Sequence, residues 1–269
     1  MTGLRYVYAV CRPFGAALQS QLTGVAGAPP KLLHHCGLVA VVSTVPEHDF
    51  AEEPLRAHLE DLDWLTATAR GHQGVIDALT TVTTPLPLRL GTVFRDDSGV
   101  RMMLEAREGD FLRTLDRLEG RVEWGVKVYA EPGTGEPAES AEPAQRPDAG
   151  GGTQDGPAAG KAMSGRDYLR RRSRSVKERE SGLRKVEEFA DRLHETLAAH
   201  ADDSRLHAPQ SAQLSGASGR NVLNAAYLVP RGQSEEFVEI VDRTKDEMPG
   251  VRVELTGPWA AYSFAGEKP

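Results

Sequence analysis

Between Glu131 and Gly165 the chain carries no Leu, Ile, Val or aromatic residue, in a stretch dominated by Gly, Pro, Ala and Glu. Such a segment has too little apolar surface to offset its ordering entropy, so it cannot join a packed core. It reads as an inserted flexible linker, extended where Pro132, Pro137, Pro143 and Pro147 fall and loose at Gly150-Gly151-Gly152. The 269-residue chain is thereby divided into an N-terminal domain over 1–131, an acidic linker over 132–163 and a C-terminal domain over 164–269. Each flanking part has the size of one small domain. The division also locates the charge. Lys and Arg number 32 and Asp and Glu 39, a net −7, of which −3 lies in residues 1–130, −4 in the linker to Gly165 and none beyond it.

The N-terminal part opens on Leu4-Arg5-Tyr6-Val7-Tyr8-Ala9-Val10 and continues to the apolar run Gly37-Leu38-Val39-Ala40-Val41-Val42. Both have strand composition, the second that of a central strand. Beyond Pro54, apolar residues recur three or four apart at Leu55, Leu59, Leu62, Leu65, Ala69, Ile76 and Leu79, the period of one amphipathic helix, bent or broken near Gly71 and Gly74. A short strand at Leu86–Leu90 and a second helix from Val100 to Leu118, closed by Gly120, follow. Arg121-Val122-Glu123-Trp124-Gly125-Val126-Lys127-Val128 then alternates polar and apolar throughout. One face of that strand is expected to pack and the other to meet water or a partner.

In the C-terminal part, a long helix runs to about His200 with Leu169, Val176, Leu183, Val186, Phe189, Leu193 and Leu197 on one side. Strands at about 205–214 and 221–229 follow, then a helix capped by Ser234 and a closing strand at Val251–Leu255. The pattern specifies two small α+β domains, each with helices on one face of a largely antiparallel, ferredoxin-like sheet.

Little chemistry is written in the chain. His34-His35-Cys36 lines up three ligand types, but neighbouring side chains point apart and no second cluster at zinc spacing follows. It reads as a turn leading into a strand, with no metal and no cofactor. Phosphate loops, nucleophile elbows and metalloprotease motifs are absent, and Cys36 or His72 as a catalytic residue has no assembled site behind it. Cys11 and Cys36 read as reduced thiols. No apolar run approaches the roughly 18 residues of a membrane span, which gives the expectation of a soluble, cytoplasmic chain.

The basic stretch from Arg166 to Lys185 stands out, with nine basic residues against three acidic ones. It reads as a solvated helix face, as a partner of the acidic linker, or as a surface for nucleic acid or an acidic protein. Net acidity and the lack of interleaved aromatics weigh against nucleic acid, leaving a nucleic-acid-binding or regulatory adaptor as the alternative reading.

Several blocks, in order along the chain, carry a resemblance. They are Tyr6-Val7-Tyr8, Leu86-Pro87-Leu88-Arg89-Leu90-Gly91-Thr92-Val93-Phe94, Leu118–Val128, Leu223–Val229 and Glu254–Trp259 with Tyr262-Ser263-Phe264. With them the sequence resembles the gas vesicle GvpF/GvpL family. Leu90 stands where the family usually has Phe, and Ala260-Ala261 where prolines are common. The resemblance implies a protein without a catalytic role that is needed for gas vesicle formation. It implies binding to the hydrophobic shell protein and to other gas vesicle accessory proteins, and a cytoplasmic location associated with gas vesicles. It also implies an N-terminal ferredoxin-like domain and a modified ferredoxin-like C-terminal domain. Arg89, Thr92, Glu123, Lys127 and Trp259, inside the matched blocks, are the expected partner-binding residues, with the shell-binding surface on the polar face or edge of the N-terminal sheet.

Overall fold

The computed structural model describes residues 3–131 apart from 17, 19 and 20, then 165–209 and 219–266; within 165–180 the side chains of 165–172, 175 and 178 are not described. The linker expected over 132–163 lies outside the described residues, as does the far end of the strand expected at 205–214.

Two antiparallel sheets organise the molecule. The first contains β1 (Gly3–Cys11), β2 (Lys31–His35), β3 (Leu38–Pro46), β4 (Leu86–Pro87) and β5 (Val93–Phe94), ordered β2-β3-β1-β4 with β5 also on β1. Between β3 and β4 come α1 (Glu47–Phe50), α2 (Glu52–His58) and α3 (Leu62–Thr80); α4 (Asp97–Ala106) and α5 (Glu108–Leu118) follow β5. The second contains β6 (Arg121–Ala130), β7 (Asp203–Leu206), β8 (Arg220–Pro230) and β9 (Val251–Trp259), ordered β7-β8-β6-β9. Its helices are α6 (Gly165–Ala199) and α7 (Ser234–Thr244).

The two sheets share one strand order: numbering each set of four along the chain, second, third, first, fourth. In the second unit the elements run strand, helix, strand, strand, helix, strand. In the first, the connection from β1 to β2 holds only a 3-10 turn at Val25–Gly27 among its described residues. There it departs from the helical crossover of a ferredoxin-like motif.

The pairing places β6 differently from the sequence boundary at 131. This strand lies between β8 and β9, in register from Arg121 opposite Pro230 to Ala130 opposite Arg220, and from Glu123 opposite Trp259 to Ala130 opposite Val251. The composition break therefore falls inside the second unit, between its first strand and its first helix. The backbone ladder of this strand runs to β8 and β9, both beyond residue 219.

Helices cover both faces of the first sheet, not one. Along β1, Val7 and Val10 pack with Val100, Leu104, Phe111 and Leu115 of α4 and α5. Tyr6, Tyr8, Ala9 and Cys11 pack with Val75, Ile76 and Leu79 of α3. Two consecutive residues, Tyr8 and Ala9, share a face because the register with β3 shifts between Val7 and Ala9, a bulge. In the second sheet, Val122, Trp124, Val126 and Val128 face α6 and α7. The opposite face contributes Ala226 and Leu228 of β8 to the core under α4 and α5, so the two units share a packed seam.

Three local readings change. The helix after Pro54 is interrupted at 59–61, where Asp61 accepts from the N–H groups of Asp63 and Trp64 and starts α3 afresh. It runs unbroken through Gly71 and Gly74. Gly71 serves close approach instead: a Cβ there would stand 3.1 Å from the Gly24 carbonyl oxygen. The helix over 100–118 is two helices meeting at Arg107, which leaves the α-helical region at φ −121°, ψ 17°. Ser234 does not cap α7; its hydroxyl accepts from Trp124 Nε1 at 3.3 Å.

Candidate functional site

His34 and His35 lie in β2, and the turn is Cys36-Gly37, both in left-handed backbone (φ 48° and 66°). A two-residue turn of that hand joins β2 to β3 as a hairpin, with His35 opposite Leu38 and Lys31 opposite Val42. His35 and Leu38 are then a hydrogen-bonded pair, so the N–H and C=O groups of Leu32 and His34 point away from β3. Nothing pairs with this edge in the described chain. The other edges are blunted: β4 and β5 are split by a turn, β7 has four residues, and β9 carries Gly257-Pro258. Sequence reading missed β2 as a strand; Leu32-Leu33 before a two-residue turn ending in Gly was the available signal.

The block Leu86–Phe94 is the opposite edge. It pairs with β1 at Val10 and Ala9, leaves the ladder, and returns at Tyr6 and Arg5. Leu88 N–H donates to the Tyr8 carbonyl at 2.8 Å and Val7 N–H to the Thr92 carbonyl at 2.9 Å, holding the intervening turn against β1. Within it the Thr92 hydroxyl donates to the Arg89 carbonyl at 2.7 Å. Thr92 is thus occupied in shaping the turn, while the Arg89 side chain is exposed. Gly91 N–H donates to the Tyr6 hydroxyl at 3.3 Å, and that hydroxyl lies 2.9 Å from His72 Nδ1. Buried His72 has its pKa lowered to about 4 because burial penalises the imidazolium.

Glu123 does not lie on an open polar face. It is buried, and its carboxylate accepts from the Ser263 N–H at 2.8 Å and the Ser263 hydroxyl at 2.7 Å. Burial raises its pKa; the Ser263 bonds and Arg205 oppose that shift. The segment holding Ser263 covers this side of β6. Arg117 donates to the Phe264 carbonyl, Arg205 lies over the Phe264 ring, and Tyr262 donates to Gln73 Oε1 at 3.1 Å. The alternation of β6 correctly marked two faces. It could not show that the chain's own C-terminal segment covers the second one.

Lys127 is half-buried, in register between Asn224 of β8 and Glu254 of β9. Trp259 is 42% exposed, whereas Phe264 is fully buried. Ahead of it, Gly257 adopts φ 126°, and a Cβ there would stand 2.8 Å from the Glu123 carbonyl oxygen, so only glycine fits. The five expected residues thus form two pairs on different sheets, Arg89 with Thr92 in one turn and Glu123 opposite Trp259, with Lys127 apart. Trp124 is core, stacked on Phe237 at 6.5 Å between centroids.

Among the described residues no group of three or more His, Cys, Asp or Glu is placed to hold a metal, and no helix is long and apolar enough to cross a membrane. Cys11 is buried in β1, and burial pushes its thiol up to about 12, out of the reactive thiolate range. An open cleft of about 480 Å³ at the seam is lined by Asp116, Arg117, Arg121, Asp202, Asp203 and Leu228. Its charges are engaged in Arg12–Asp116 and Arg121–Asp202 ion pairs.

These features define a two-unit α+β protein with paired antiparallel sheets and a shared seam. The same architecture occurs in the crystal structure of gas vesicle protein GvpF from Microcystis aeruginosa, at a TM-score of 0.66 and 18% identity over 99% of this chain and 100% of that one. It occurs also in GvpF from Anabaena sp. PCC7120, at 0.64 and 18% over 99% and 98%. The model of the family described as gas vesicle synthesis protein GvpL/GvpF matches residues 4–266. Gas vesicle protein L of Streptomyces sp. (strain CB03234) is 55% identical over 263 residues, 98% of this chain and 93% of that protein. Gas vesicle protein F of the same strain is 28% identical over 264 residues, 96% and 98% of the two chains. The chain belongs to the GvpL/GvpF family of gas vesicle proteins.

Proposed function

We propose that this protein acts in gas vesicle formation as an assembly factor without catalytic chemistry, binding the hydrophobic shell protein and other gas vesicle accessory proteins, and that it works in the cytoplasm in association with the vesicles. Family membership supports a gas vesicle role. The observation that carries the binding mode is the open edge of β2, where the backbone groups of Leu32 and His34 face outward. A shell subunit that forms an apolar wall is prone to aggregate before assembly. An open edge can hold an extended segment of such a client by adding it as a further strand. Arg89 at the turn of the other edge and half-exposed Trp259 extend this reading to secondary contacts; Glu123 serves the chain's own closure.

The test replaces the outward-facing N–H without disturbing the hairpin. Proline at position 34 lacks the donor an added strand needs but removes no bond to β3. The His34→Pro variant is expected to fold with near-normal stability and to lose co-purification of shell protein, and cells carrying it are expected to lack vesicles. Normal retention of shell protein by a folded His34→Pro variant overturns the edge mechanism. Intact vesicles in a strain deleted for this protein overturn the assembly role itself.

A further inference from the structure

Helix α6 is far longer than the sheet it packs on requires. Its 35 residues span about 52 Å at 1.5 Å per residue. Among the described residues it packs chiefly on β6, β8 and α7. Among the described side chains of the helix, Leu183 is the first to pack against the second core and Val186 the first to be fully buried. Residues 165–182, about 27 Å of helix, precede that point. Within them Ser173, Arg174, Val176, Lys177, Arg179 and Glu180 are exposed, Val176 to 47%.

The arm's own charges support it only in part, opposite signs standing four residues apart at Asp167 and Arg171, Arg174 and Glu178, and Glu180 and Arg184. An isolated helix of that length is marginal in water without tertiary packing. Arg166, Arg170 and Arg174 repeat at four-residue spacing, where like charges repel along a helix. The basic surplus also lies in the helix's N-terminal half, the positive end of its dipole. The composition is therefore fitted to a docked state. Leu169 and Val176 continue the heptad spacing of Leu183 outward from the packed core, an apolar stripe bordered in sequence by Arg172 and Arg179.

A complementary surface exists in the same chain. From Glu47 to Asp63, over α1, α2 and the start of α3, seven acidic residues stand against Arg56 alone. Glu47, Glu52, Glu53, Glu60, Asp61 and Asp63 are exposed. Among them Leu59 is 44% and Leu62 76% exposed, an apolar centre inside an acidic rim. This surplus of six negative charges faces a surplus of four positive charges on residues 165–182 of the arm.

We infer that the α6 arm of one molecule docks on the α1–α3 corner of a second copy, its apolar stripe on Leu59 and Leu62 and its arginines against the acidic rim. Arm and corner are different surfaces, so the contact is head-to-tail. Such contacts propagate into rings or filaments instead of stopping at a dimer.

The experiment is sedimentation velocity on the full chain, freed of nucleic acid, over a concentration series. The arm variant is Arg170→Glu, Arg171→Glu, Arg172→Glu. The corner variant is Glu53→Lys, Glu60→Lys, Asp63→Lys, which spares the Asp61 cap and the Glu52–Arg56 pair. Wild type is expected to grow beyond a dimer with concentration and to dissociate at about 1 M salt, where the Debye length is about 3 Å. Each variant alone is expected to associate at least about tenfold more weakly. Mixed in equal amounts, the two variants each keep one working surface, the intact arm on the corner variant and the intact corner on the arm variant. The reversed arm and the reversed corner are also opposite in charge, so both cross-pairings attract and the mixture is expected to regain growth beyond a dimer, with the two variants alternating. A chain carrying both sets is expected to recover self-association. A monomeric wild type, an arm variant that associates like wild type, or a mixture that remains monomeric overturns the proposal. Association that vanishes when nucleic acid is digested overturns it in favour of nucleic-acid binding by the arm.

Discussion

His72 and Glu123 show how single side chains couple this fold to pH in opposite directions. His72 is 3% exposed, with Nδ1 facing the Tyr6 hydroxyl and Nε2 buried without a hydrogen-bond partner. Tyr6 accepts from Gly91 N–H, so its own proton is free to go to Nδ1, and the neutral ring carries its hydrogen on Nε2. The rings of Tyr6, Tyr8 and Tyr262 surround it. A folded pKa of about 4 against an ordinary 6.5 means that the unfolded chain binds the extra proton first as pH falls. The stabilising contribution is whole above pH 6.5 and is lost as pH drops toward 4, in all roughly 3 kcal/mol. Denaturant midpoints at pH 7, 5.5 and 4.5 should therefore fall more steeply for wild type than for His72→Phe, and equal slopes would refute this account. For Glu123 the folded pKa is raised, so its contribution is whole below the ordinary carboxylate pKa and is lost as pH rises through the folded value. Glu123→Gln keeps an acceptor for Ser263 without the buried charge, and should show less loss of stability than wild type as pH rises from 4 to 7.

The elements were legible in the sequence wherever a period was carried by side chains with one partner surface. The alternation of β6, the stripe of α6 from Val186 to Leu197 and the left-handed Gly120 all appear where the pattern put them. What escaped depends on contacts between distant residues. β2 packs on both faces, so it shows no alternation, and β6 takes its partners from beyond residue 219. Of the candidate site, the turn at Arg89 and the exposed Trp259 were within reach of the sequence, whereas the burial of Glu123 under Ser263 was not. Caps show the same limit. Asp96 accepts from Gly99 N–H at 2.9 Å and begins α4, while Asp61 begins α3 and thereby ends one long apolar period without a glycine or proline. The Asp61 side chain answers two otherwise unpaired helix donors and adds a negative charge at the dipole's positive end. Asp61→Ala should cost about 1 kcal/mol in chemical denaturation and Asp61→Asn less than half of that. An Asn variant as damaged as the Ala variant would assign the effect to charge alone.

At the scale of the whole molecule, the chain is held together by its last described residues. After β9 leaves the second sheet, Ala260 enters the core under α3, while Ala261 and Phe264 enter the core under α4 and α5. Five residues thus reach both cores of the first unit, and the Ser263 bonds to Glu123 tie the same segment back to β6. Fully buried Phe264 also meets Arg205 of β7, and its carbonyl accepts from Arg117 of α5, so its ring and backbone join elements of both units. Removing the ring should cost about 3–5 kcal/mol through lost burial and a residual cavity. The location of that loss makes a sharper forecast than its size. Phe237→Ala removes an equal side chain from the core of the second unit alone, between Trp124 and Tyr227. Trp64 reports on the first unit and Trp124 on the second. In chains retaining only one of these tryptophans, the two fluorescence transitions in denaturant should coincide for the otherwise wild-type protein. They should separate in Phe264→Ala, because the seam no longer transmits the unfolding of one unit to the other. In Phe237→Ala both should shift to lower denaturant together. Coincident transitions in Phe264→Ala would show that Ala226, Leu228 and the rest of the seam suffice to couple the units without the C-terminal segment.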